Sequence, residues 1–329
     1  MKNLIWLKKT VLLLALVTFV VSCDDDDPVT LPGTTITDLA IASPNLSSLV
    51  AALTAANGNL PVVLQGEGPF TVLAPTNEAF STFLAGRQLS DIPAEVLTQV
   101  LLNHVIDGSI EAADLTALNA DGSFYASTLA DGAKAGTKMS IYFNTSEGVR
   151  FNGVSSVITG GANIEASNGI IHVVDAVIDL PTVVTFAVAD DRFDILQAAL
   201  TRETSFNYVT ALGTPNGTAP APFTVFAPTN DAFIALLSDL ELMELGDVPT
   251  ATLQTVLELH VVPGANVLSS ELAGLDGENV ASLGGTDITI QASPAGIIAT
   301  GEDDTLNPII IADVQASNGV IHAISRVIR

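Results

Sequence analysis

Four segments of this 329-residue sequence occur twice in the same order, and this internal repetition constrains the fold more than any other feature. FTVLAPTNEAF at 70–80 returns as FTVFAPTNDAF at 223–233, an offset of 153 residues. IEASNGIIHVVDAVI at 164–178 returns as VQASNGVIHAISRVI at 314–328, an offset of 150. This period is far longer than that of a solenoid. The sequence therefore predicts two globular domains of about 145 residues, each large enough for its own core.

The other two pairs of segments show where the repeats differ in length. DLAIASPNLSSLVAAL at 38–53 matches TFAVADDRFDILQAAL at 185–200 with an offset of 147. VLLNHVIDG at 100–108 matches VLELHVVPG at 256–264 with an offset of 156. Because the offset changes from one segment to the next, short insertions separate the segments. We expect these insertions in loops, where length changes are tolerated.

The pattern of apolar residues changes from helical to strand-like within each repeat. Leu46, Leu49 and Leu53 recur at helical spacing. MSIYFN at 139–144 and IIHVVDAVI at 170–178 are typical of strands. We therefore predict that each repeat is an α+β domain, with helices first and a sheet later. The predicted domains are residues 36–180 and 181–329.

The repeated segments resemble the signatures of the fasciclin family, known as FAS1 domains. FTVFAPTNDAF is similar to the first signature and ASNGVIHAISRVI to the second, and both occur in each repeat. The resemblance covers nearly all of residues 36–329. It implies two tandem FAS1 domains, each a wedge of two β-sheets with a cluster of α-helices packed at one side.

The resemblance also implies a function in binding. Fasciclin proteins are mostly extracellular and anchored, with roles in cell adhesion and matrix association. We therefore expect a cell-surface protein whose partner is a protein or a polysaccharide on a cell or in a matrix. A structural or accessory envelope lipoprotein that binds a neighbouring protein is the first alternative. A hydrolase or lyase with an unrecognised carboxylate site is the second.

Six residues within the two signatures are predicted to have structural roles. The asparagine of the first signature stands where a helix begins, so we expect it to be the N-cap in each repeat. The asparagine of the second signature precedes a glycine in a tight turn. The histidine of the second signature lies in an apolar strand, where we expect a buried imidazole that is hydrogen-bonded to a neighbouring loop. The six residues are Asn77, Asn168, His172, Asn230, Asn318 and His322.

His104 and His260 are the candidate partner-binding residues. Each ends an apolar helical segment near a presumed surface. In animal relatives that mediate adhesion, a Tyr-His pair at this place is implicated in integrin binding. Here Asn103 and Leu259 precede the histidines, so the tyrosine is absent from both repeats. Packing of both imidazoles in the core is the alternative interpretation.

The first 22 residues have the layout of a secretory signal peptide. Lys2, Lys8 and Lys9 precede an apolar stretch at 10–22 that is too short to cross a bilayer as a helix. The sequence VVSC that ends at Cys23 resembles the lipobox of bacterial lipoproteins, in which the cysteine is acylated. We therefore predict a lipid anchor at this cysteine, the only one in the chain. The predicted segments are a signal peptide at 1–22 and an acidic, flexible stem at 23–35.

Four aspartates follow the cysteine directly, and they are Asp24, Asp25, Asp26 and Asp27. A hydrated spacer is one interpretation of such a run. An acidic run at this place also resembles the surface-export signal of Bacteroidota lipoproteins. On that resemblance we predict that the four aspartates are an export signal. The protein would then be an outer-membrane lipoprotein exposed at the cell surface, with a periplasm-facing protein as the alternative.

The charge of the chain excludes one class of partner. With 11 basic and 36 acidic residues the formal charge is −25. Removal of the signal peptide takes three lysines, which leaves 8 basic residues and a charge of −28. Such a field repels nucleic acid phosphates, so we expect no nucleic acid partner, and membrane association only through the lipid.

The sequence contains no motif that indicates catalysis. It lacks a His-Glu-x-x-His sequence, a cysteine pair, a G-x-S-x-G sequence and a glycine-rich phosphate loop. We therefore predict that the protein is not an enzyme, and that it has no cofactor and no defined metal site. The acidic pairs Asp190-Asp191 and Asp303-Asp304 are expected to be hydrated surface residues.

Overall fold

The computed structural model describes residues 33–117, 123–146, 148–293, 296–300 and 307–329. Thr34–Arg329 form one compact unit that contains both repeats. Of the other unit, Met1–Gly33, only the last residue is described. The predicted anchor and export signal lie outside the described residues, as does one acidic pair. These residues are Cys23, Asp24, Asp25, Asp26, Asp27, Asp303 and Asp304.

Helices occupy the first part of each repeat. In the first repeat they are α1 (Ile36–Ala42), α2 (Ser47–Ala55), α3 (Leu60–Val63), α4 (Asn77–Leu84), α5 (Ala94–Leu102) and α6 (Ala112–Ala117). In the second they are α7 (Val183–Ala189), α8 (Asp194–Thr201), α9 (Tyr208–Leu212), α10 (Asn230–Asp239), α11 (Thr250–Leu259) and α12 (Ser269–Leu272). Short 3₁₀ helices span Pro44–Leu46, Leu89–Asp91, Asp191–Phe193, Leu245–Asp247 and Ala273–Leu275.

Strands dominate the second part of each repeat. In the first repeat they are β1 (Phe70–Pro75), β2 (Val105–Asp107), β3 (Ser123–Asp131), β4 (Lys138–Asn144), β5 (Arg150–Phe151), β6 (Ser155–Ser156), β7 (Ile164–Ala166) and β8 (Gly169–Val174). In the second they are β9 (Phe223–Pro228), β10 (Val261–Pro263), β11 (Asn279–Ala281), β12 (Asp287–Ser293), β13 (Gly296–Thr300), β14 (Ile309–Gln315) and β15 (Gly319–Ile324). This mixture of helices and strands confirms the predicted α+β class.

The two repeats share one central arrangement of strands. In the first repeat the strand order is β6-β5-β4-β3-β2-β1-β8-β7. In the second it is β10-β9-β15-β14, with β11-β12-β13 as a separate sheet. The two signatures form the parallel pairs β1–β8 and β9–β15, and the strands that flank each pair are antiparallel to it. Both signatures therefore lie side by side at the centre of each domain.

Each repeat has an apolar core on both faces of its central strand pair. In β1, Val72 and Ala74 pack under the helices, whereas Leu73 points to a second cluster with Phe143 and Ile178. This alternation follows from the two-residue period of a strand. In the second repeat, β9 divides its residues between two clusters in the same way. Because both faces of these strands are buried, apolar and polar residues alternate little in either signature.

The closing strand of the first repeat is shorter than predicted. The sequence at 170–178 predicts one continuous strand, but β8 ends at Val174. Beyond it the chain turns into the core, where the Ile178 N–H donates to Nε2 of His104 at 2.9 Å. The backbone hydrogen bond that a neighbouring strand would supply is replaced by an imidazole. Apolar periodicity does not reveal such an exchange.

Contacts on both sides hold the joint between the repeats. The Asn103 side chain of the first repeat donates to the Asp179 carbonyl at 3.2 Å. The Ser317 N–H of the second repeat donates to the Pro181 carbonyl at 2.7 Å. Thr182 then caps α7 by accepting from the Thr185 N–H. The joint is therefore part of both domains.

The longest α-helices in the described part of the chain, α10 and α11, have ten residues each. Within the described residues, no single helix combines the length and the apolar character needed to cross a membrane. The sharply bent pair Ile36–Ala42 and Pro44–Ala55 meets those criteria only when its two members are counted together.

Candidate functional site

The first signature asparagine caps a helix other than the one predicted. Thr76 is the N-cap of α4, because its hydroxyl accepts from the Ala79 N–H at 3.1 Å. Asn77 is the first residue of that helix, and its Oδ1 accepts from the Ser48 N–H at 2.8 Å, at the start of α2. Its Nδ2 donates to the Pro44 carbonyl at 2.9 Å. The predicted cap is wrong by one residue, and the asparagine amide links two helices instead.

Asn230 makes the same link in the second repeat. Thr229 is the N-cap of α10. The Oδ1 of Asn230 accepts from the Ile195 N–H at 2.9 Å, at the start of α8. Its Nδ2 donates to the Asp191 carbonyl at 2.8 Å. Both residues thus join the helix that begins in the first signature to the second α-helix of the repeat.

The second signature asparagine is a buried hydrogen-bonding centre as well as a turn residue. The Oδ1 of Asn168 accepts from the Ile36 N–H at 2.9 Å, at the start of α1. Its Nδ2 donates to the carbonyls of Leu64 and Gly66 at 2.8 and 2.9 Å. One side chain therefore joins the turn before β8 to α1 and to the end of α3.

Asn318 makes the equivalent contacts, and the glycine after it is needed for close packing. The asparagine accepts from the Val183 N–H at 3.0 Å and donates to the Leu212 carbonyl at 2.7 Å. A Cβ at Gly319 would lie 2.4 Å from the Phe223 carbonyl oxygen, closer than any real contact. Only glycine lets the strand pair approach at this point.

The signature histidines are buried and neutral. Nε2 of His172 donates to the Ile110 carbonyl at 2.9 Å, while Nδ1 accepts from the Asn163 N–H at 3.3 Å. His322 makes the matching bonds, with Nε2 donating to the Val267 carbonyl at 2.9 Å. Burial lowers the pKa of both imidazoles. Each histidine therefore joins a central strand to a loop, as a structural residue would.

The structure places His104 and His260 in the core. Nδ1 of His104 donates to the Val100 carbonyl at 2.7 Å, and Nε2 accepts from the Ile178 N–H. His260 makes the same two kinds of bond, accepting from the Ile328 N–H at 3.0 Å. The two residues are 2% and 3% exposed. Both ring nitrogens of each histidine are thus bonded to backbone groups, in agreement with the alternative interpretation that the imidazoles pack in the core.

Burial lowers the pKa of both His104 and His260 to about 4. Desolvation disfavours the charged imidazolium, and the hydrogen bond to a backbone carbonyl only partly offsets it. Both rings are therefore neutral at pH 7. A partner could reach them only after the last residues of each repeat leave the core, so we do not assign direct partner contact to them.

A buried ionic cluster lies between the two repeats. Asp190 is 1% exposed, and its carboxylate accepts from the Arg192 guanidinium at 2.7 and 2.8 Å. It also accepts from the Tyr125 hydroxyl of the first repeat at 2.7 Å. The expectation that Asp190 is hydrated is therefore wrong, because an arginine and a tyrosine replace its water. We call Tyr125, Asp190 and Arg192 the clamp.

Aromatic rings from both repeats pack beside the clamp. The Arg192 guanidinium lies 5.6 Å from the centre of the Tyr125 ring, within reach of a cation–π contact. The Tyr125 ring packs against Tyr142 at 5.1 Å and meets Phe186 edge-on at 5.5 Å. Tyr142 belongs to the first repeat but packs in the apolar core of the second. The domains therefore share core residues.

Tyr125, Tyr142 and Arg192 have pKa values raised above their ordinary values. Burial and the Asp190 carboxylate raise the pKa of Tyr125, and burial is the largest cause that raises the pKa of Tyr142 to about 12. Burial opposes the charged form of Arg192, but its bonds to Asp190 outweigh that effect and raise the pKa of the guanidinium. These groups can donate or accept hydrogen bonds, but they do not exchange protons at pH 7.

A second contact between the repeats is formed by the β3–β4 hairpin. Its tip, Gly132–Thr137, reaches a surface of the second repeat that we call the occupied socket. The Lys134 ammonium donates to the Asn266 carbonyl at 3.1 Å and forms an ion pair with the Glu271 carboxylate. The Ala133 N–H donates to a backbone carbonyl at 3.1 Å. The occupied socket consists of Asn266, Glu271, Gln315 and Ala316.

Two of the three length differences between the repeats lie in segments that reach this contact. The offset falls from 156 to 150 between β2 and β7, so the first repeat has six extra residues in the stretch that contains the β3–β4 hairpin, where β3 has nine residues and β11 has three. The offset rises from 147 to 153 before β9, so the second repeat has six extra residues there. Asn216 from the second insertion donates to the Ala133 carbonyl in the first at 2.9 Å. These insertions are interface elements, which the sequence analysis placed in ordinary loops.

An open cleft runs beside the clamp and is lined by both repeats. Its volume is about 340 Å³. Its walls combine carboxylate, guanidinium, amide and hydroxyl groups with apolar surface, so it is suited to a ligand that has both hydrogen-bonding groups and apolar parts. Among the described residues, no group of three or more His, Cys, Asp or Glu side chains is arranged to hold a metal ion. The cleft is lined by Ser123, Tyr142, Asn144, Asp190, Asp191, Arg192, Thr229, Asn230, Asp231 and Ile310.

Comparison with known families identifies the class of protein that this fold represents. The fasciclin domain model matches twice, at residues 44–181 and 192–329. The chain therefore belongs to the fasciclin domain family and contains two such domains in tandem. A FAS1 domain pair from the insect cell adhesion molecule fasciclin I has the same fold, with a TM-score of 0.53 at 17% identity. The match covers 86% of this chain and 96% of that one.

Relatives by sequence include bacterial and animal proteins. Uncharacterized protein sll1735 of Synechocystis sp. is 37% identical over 146 residues, which cover 44% of this chain and 96% of that protein. Transforming growth factor-beta-induced protein ig-h3 of Sus scrofa is 29% identical over 285 residues, or 80% of this chain. Periostin of Homo sapiens is 27% identical over 275 residues. The matched regions are 35% of ig-h3 and 29% of periostin, so the chain spans about a third of these animal proteins.

Proposed function

We propose that this protein is an adhesion protein, which holds a protein or a polysaccharide on a cell surface or in a matrix through its two fasciclin domains. The observation that carries the proposal is the fixed pairing of the domains by side chains that differ between the repeats, such as Asp190 and Lys134. A fixed pair offers one continuous surface to a partner. A domain pair of the same fold comes from an insect cell adhesion molecule.

The chemistry of the repeated histidines supports binding over catalysis. Each of the four histidines uses both ring nitrogens in bonds to backbone groups. None of the four is therefore available as a general base, which must reach a substrate proton. The cleft beside the clamp offers hydrogen-bonding groups held in place by the fold, as a binding site does.

The proposal includes an anchor and a location. We propose that acylated Cys23 holds the protein on the outer membrane and that Asp24–Asp27 direct it to the cell surface. Two or more acyl chains would make this attachment durable. The folded domains begin soon after, since Thr35 is already the N-cap of α1.

Protease treatment of sealed cells tests the location. The native protein is compared with a variant in which the four aspartates are alanine, and periplasmic and cytoplasmic markers report whether the cells stay sealed. We expect digestion of the native protein and protection of the variant. Protection of both would contradict surface exposure and favour the periplasm-facing alternative.

An attachment assay tests the function. Cells that carry the native protein, no protein, Asp231→Lys or Glu95→Lys are compared on matrix protein and on polysaccharide surfaces. Asp231 is exposed in the cleft, whereas Glu95 is exposed on α5 and is the matched control. We expect loss of attachment without the protein and with Asp231→Lys. Equal attachment of all four strains would contradict the proposal, and a co-purifying envelope protein would then favour an accessory lipoprotein.

A further inference from the structure

The occupied socket of the second repeat has an open counterpart in the first repeat. Glu271 closes the first turn of α12 by accepting from the Leu268 N–H, and Asp114 does the same for Glu111 before α6. Gln315 and Glu165 occupy the same place in the repeated ASNG segments, one residue before the shared alanine. The open socket consists of Ser109, Asp114, Glu165 and Ala166, which correspond to Asn266, Glu271, Gln315 and Ala316.

Hydrogen bonds deep in each repeat fix this correspondence. The Thr71 hydroxyl donates to the Gly108 carbonyl at 2.7 Å, and the Thr224 hydroxyl donates to the Ala265 carbonyl at 2.9 Å. The next residues in the chain are Ser109 and Asn266, so their carbonyls occupy equivalent positions. The carbonyl that receives the Lys134 ammonium in the second repeat therefore has a counterpart in the first.

The open socket is accessible in the described part of the chain. Three of its residues line one side of a cavity of about 320 Å³, and they are Ser109, Glu165 and Ala166. The strand that carries Glu165, β7, is the last in the order of its sheet and pairs with β8 on one side. An edge strand presents backbone groups that another chain can bind. In the second repeat, the equivalent edge at Ala316 accepts the Ala133 N–H of the hairpin tip.

The charge of the open socket indicates the chemistry of its occupant. Glu67 and Glu111 line the same cavity as Glu165, and all three carboxylates are exposed. Where the occupied socket has the neutral Gln315, the open socket has a carboxylate. It is therefore more acidic than the surface that already binds Lys134, and a positively charged loop complements it better.

The described part of the chain has no second hairpin for this place. The β3–β4 tip is held by the second repeat, and the equivalent β11–β12 hairpin is shorter, since β11 has three residues where β3 has nine. We propose that the open socket of the first repeat binds a lysine-bearing β-hairpin loop of another protein. The occupant would lie against β7 and place its ammonium at the Asp114 carboxylate and the Ser109 carbonyl, as Lys134 does at Glu271 and Asn266, with the Glu165 carboxylate beside it. This inference rests on the proposed binding function and names one partner surface.

The hairpin tip of this chain supplies a probe. A cyclised peptide of residues 129–139, LADGAKAGTKM, is titrated into the full-length protein, and binding is followed by calorimetry at low salt. The intrachain tip stays in the occupied socket because its effective concentration is high. A peptide with the Lys134→Glu change is the probe control. Glu165→Lys is the protein variant, and Glu95→Lys is its control for a change of net charge.

We expect saturable binding that weakens at least about tenfold with Glu165→Lys or with the changed peptide, since each places like charges together. Glu95→Lys should bind as the native protein does. No saturable binding up to about 1 mM peptide, or equal binding by both lysine variants, would overturn the inference. Cells that attach normally with a protein that does not bind the peptide would leave the adhesive function standing. Peptide binding by a protein that does not support cell attachment would contradict the adhesive function and would still support the open socket as a binding site.

Discussion

Asp190 is the residue through which the two repeats depend most directly on each other. Its carboxylate is shared between Arg192, two residues away in the chain, and Tyr125 of the first repeat. A buried carboxylate needs such partners, because removal from water is costly unless hydrogen bonds replace the lost hydration. In the first repeat the equivalent place is held by Ser43, whose hydroxyl donates to a carbonyl of its own helix.

Asp190→Ala tests this dependence. The change leaves Arg192, whose side chain is about a quarter exposed, and the Tyr125 hydroxyl without their acceptor. We expect the free energy of unfolding to fall by about 2 kcal/mol, less than for a fully buried pair because solvent can reach the guanidinium. Urea denaturation measures the loss. Asp191→Ala, at the exposed neighbour, is the control and should cost much less; an equal cost for both would show that the clamp contributes nothing.

The buried histidines make the stability of the protein dependent on pH. The pKa of His104 is about 4 in the folded state and 6.5 as its ordinary value. The unfolded state therefore binds more protons below pH 6.5, so stability is full above that pH and falls as the pH decreases toward 4. Between pH 7 and pH 5 we expect a loss of about 2 kcal/mol from this residue, and the same from His260.

His104→Gln isolates the contribution of one ring. Glutamine cannot bridge the Val100 carbonyl and the Ile178 N–H as the imidazole does, so the variant is less stable at pH 7. The difference in free energy of unfolding between the variant and the native protein should shrink by about 2 kcal/mol at pH 5, because the imidazole titrates and glutamine does not. Denaturant unfolding at both pH values measures this. A difference that stays constant with pH would refute the assignment of a lowered pKa.

At the scale of secondary-structure elements, side-chain amides hold the helices to the sheet. Asn77 bonds to the start of α2 from the start of α4, and Asn168 bonds to the start of α1 from the turn before β8. The first N–H groups of a helix have no partner within it. Each asparagine satisfies one such group and fixes the position of a whole helix. The short helices of each repeat therefore depend on residues far away in the sequence.

Asn77→Ala tests this coupling between α2 and α4. We expect it to reduce the free energy of unfolding by about 1 to 2 kcal/mol, the usual effect of losing a helix cap. Asn77→Asp keeps the acceptor for the Ser48 N–H but loses the donor to Pro44, so its loss should be smaller. Thermal and urea unfolding of both variants measure the order. An alanine variant as stable as the aspartate variant would show that the bond to α2 contributes little.

The sequence predicts the elements of this fold better than the contacts between them. The apolar pattern locates α2, β4 and the start of β8, because α2 buries one side of a helix and the two strands are apolar and buried on both faces. It assigns Asp190 to the surface and the β3–β4 insertion to a loop, because both acquire their environment from the other repeat. The changing offset between repeated segments is the one sequence signal for the interface. It shows where the repeats differ in length, and two of the three differences lie in segments that reach the other domain.

At the scale of the whole molecule, the pairing of the domains depends on differences between the repeats. Equivalent signatures build equivalent cores, but the clamp and the hairpin tip occur once each in the described part of the chain. The tip connects Ala133 to Ala316 and Lys134 to Glu271, while Tyr142 enters the core of the second domain. Two domains that share core residues and backbone bonds should unfold together. A binding surface that spans both would then keep its shape.

Shortening the hairpin tests whether the pair is one cooperative unit. Asp131 and Lys138 are paired across β3 and β4, so an Asn-Gly turn can replace Gly132–Thr137 and close the hairpin without the tip. We expect the native protein to unfold in one calorimetric transition, and the shortened variant combined with Asp190→Ala to unfold in two. Lys134→Ala is the control, since it removes only a half-exposed ion pair worth about 0.5 kcal/mol and should keep a single transition.

X-ray scattering in solution should show a more extended molecule only for the combined variant. A single transition in that variant would mean that the joint and the shared core suffice to hold the domains together, and that the tip serves another purpose.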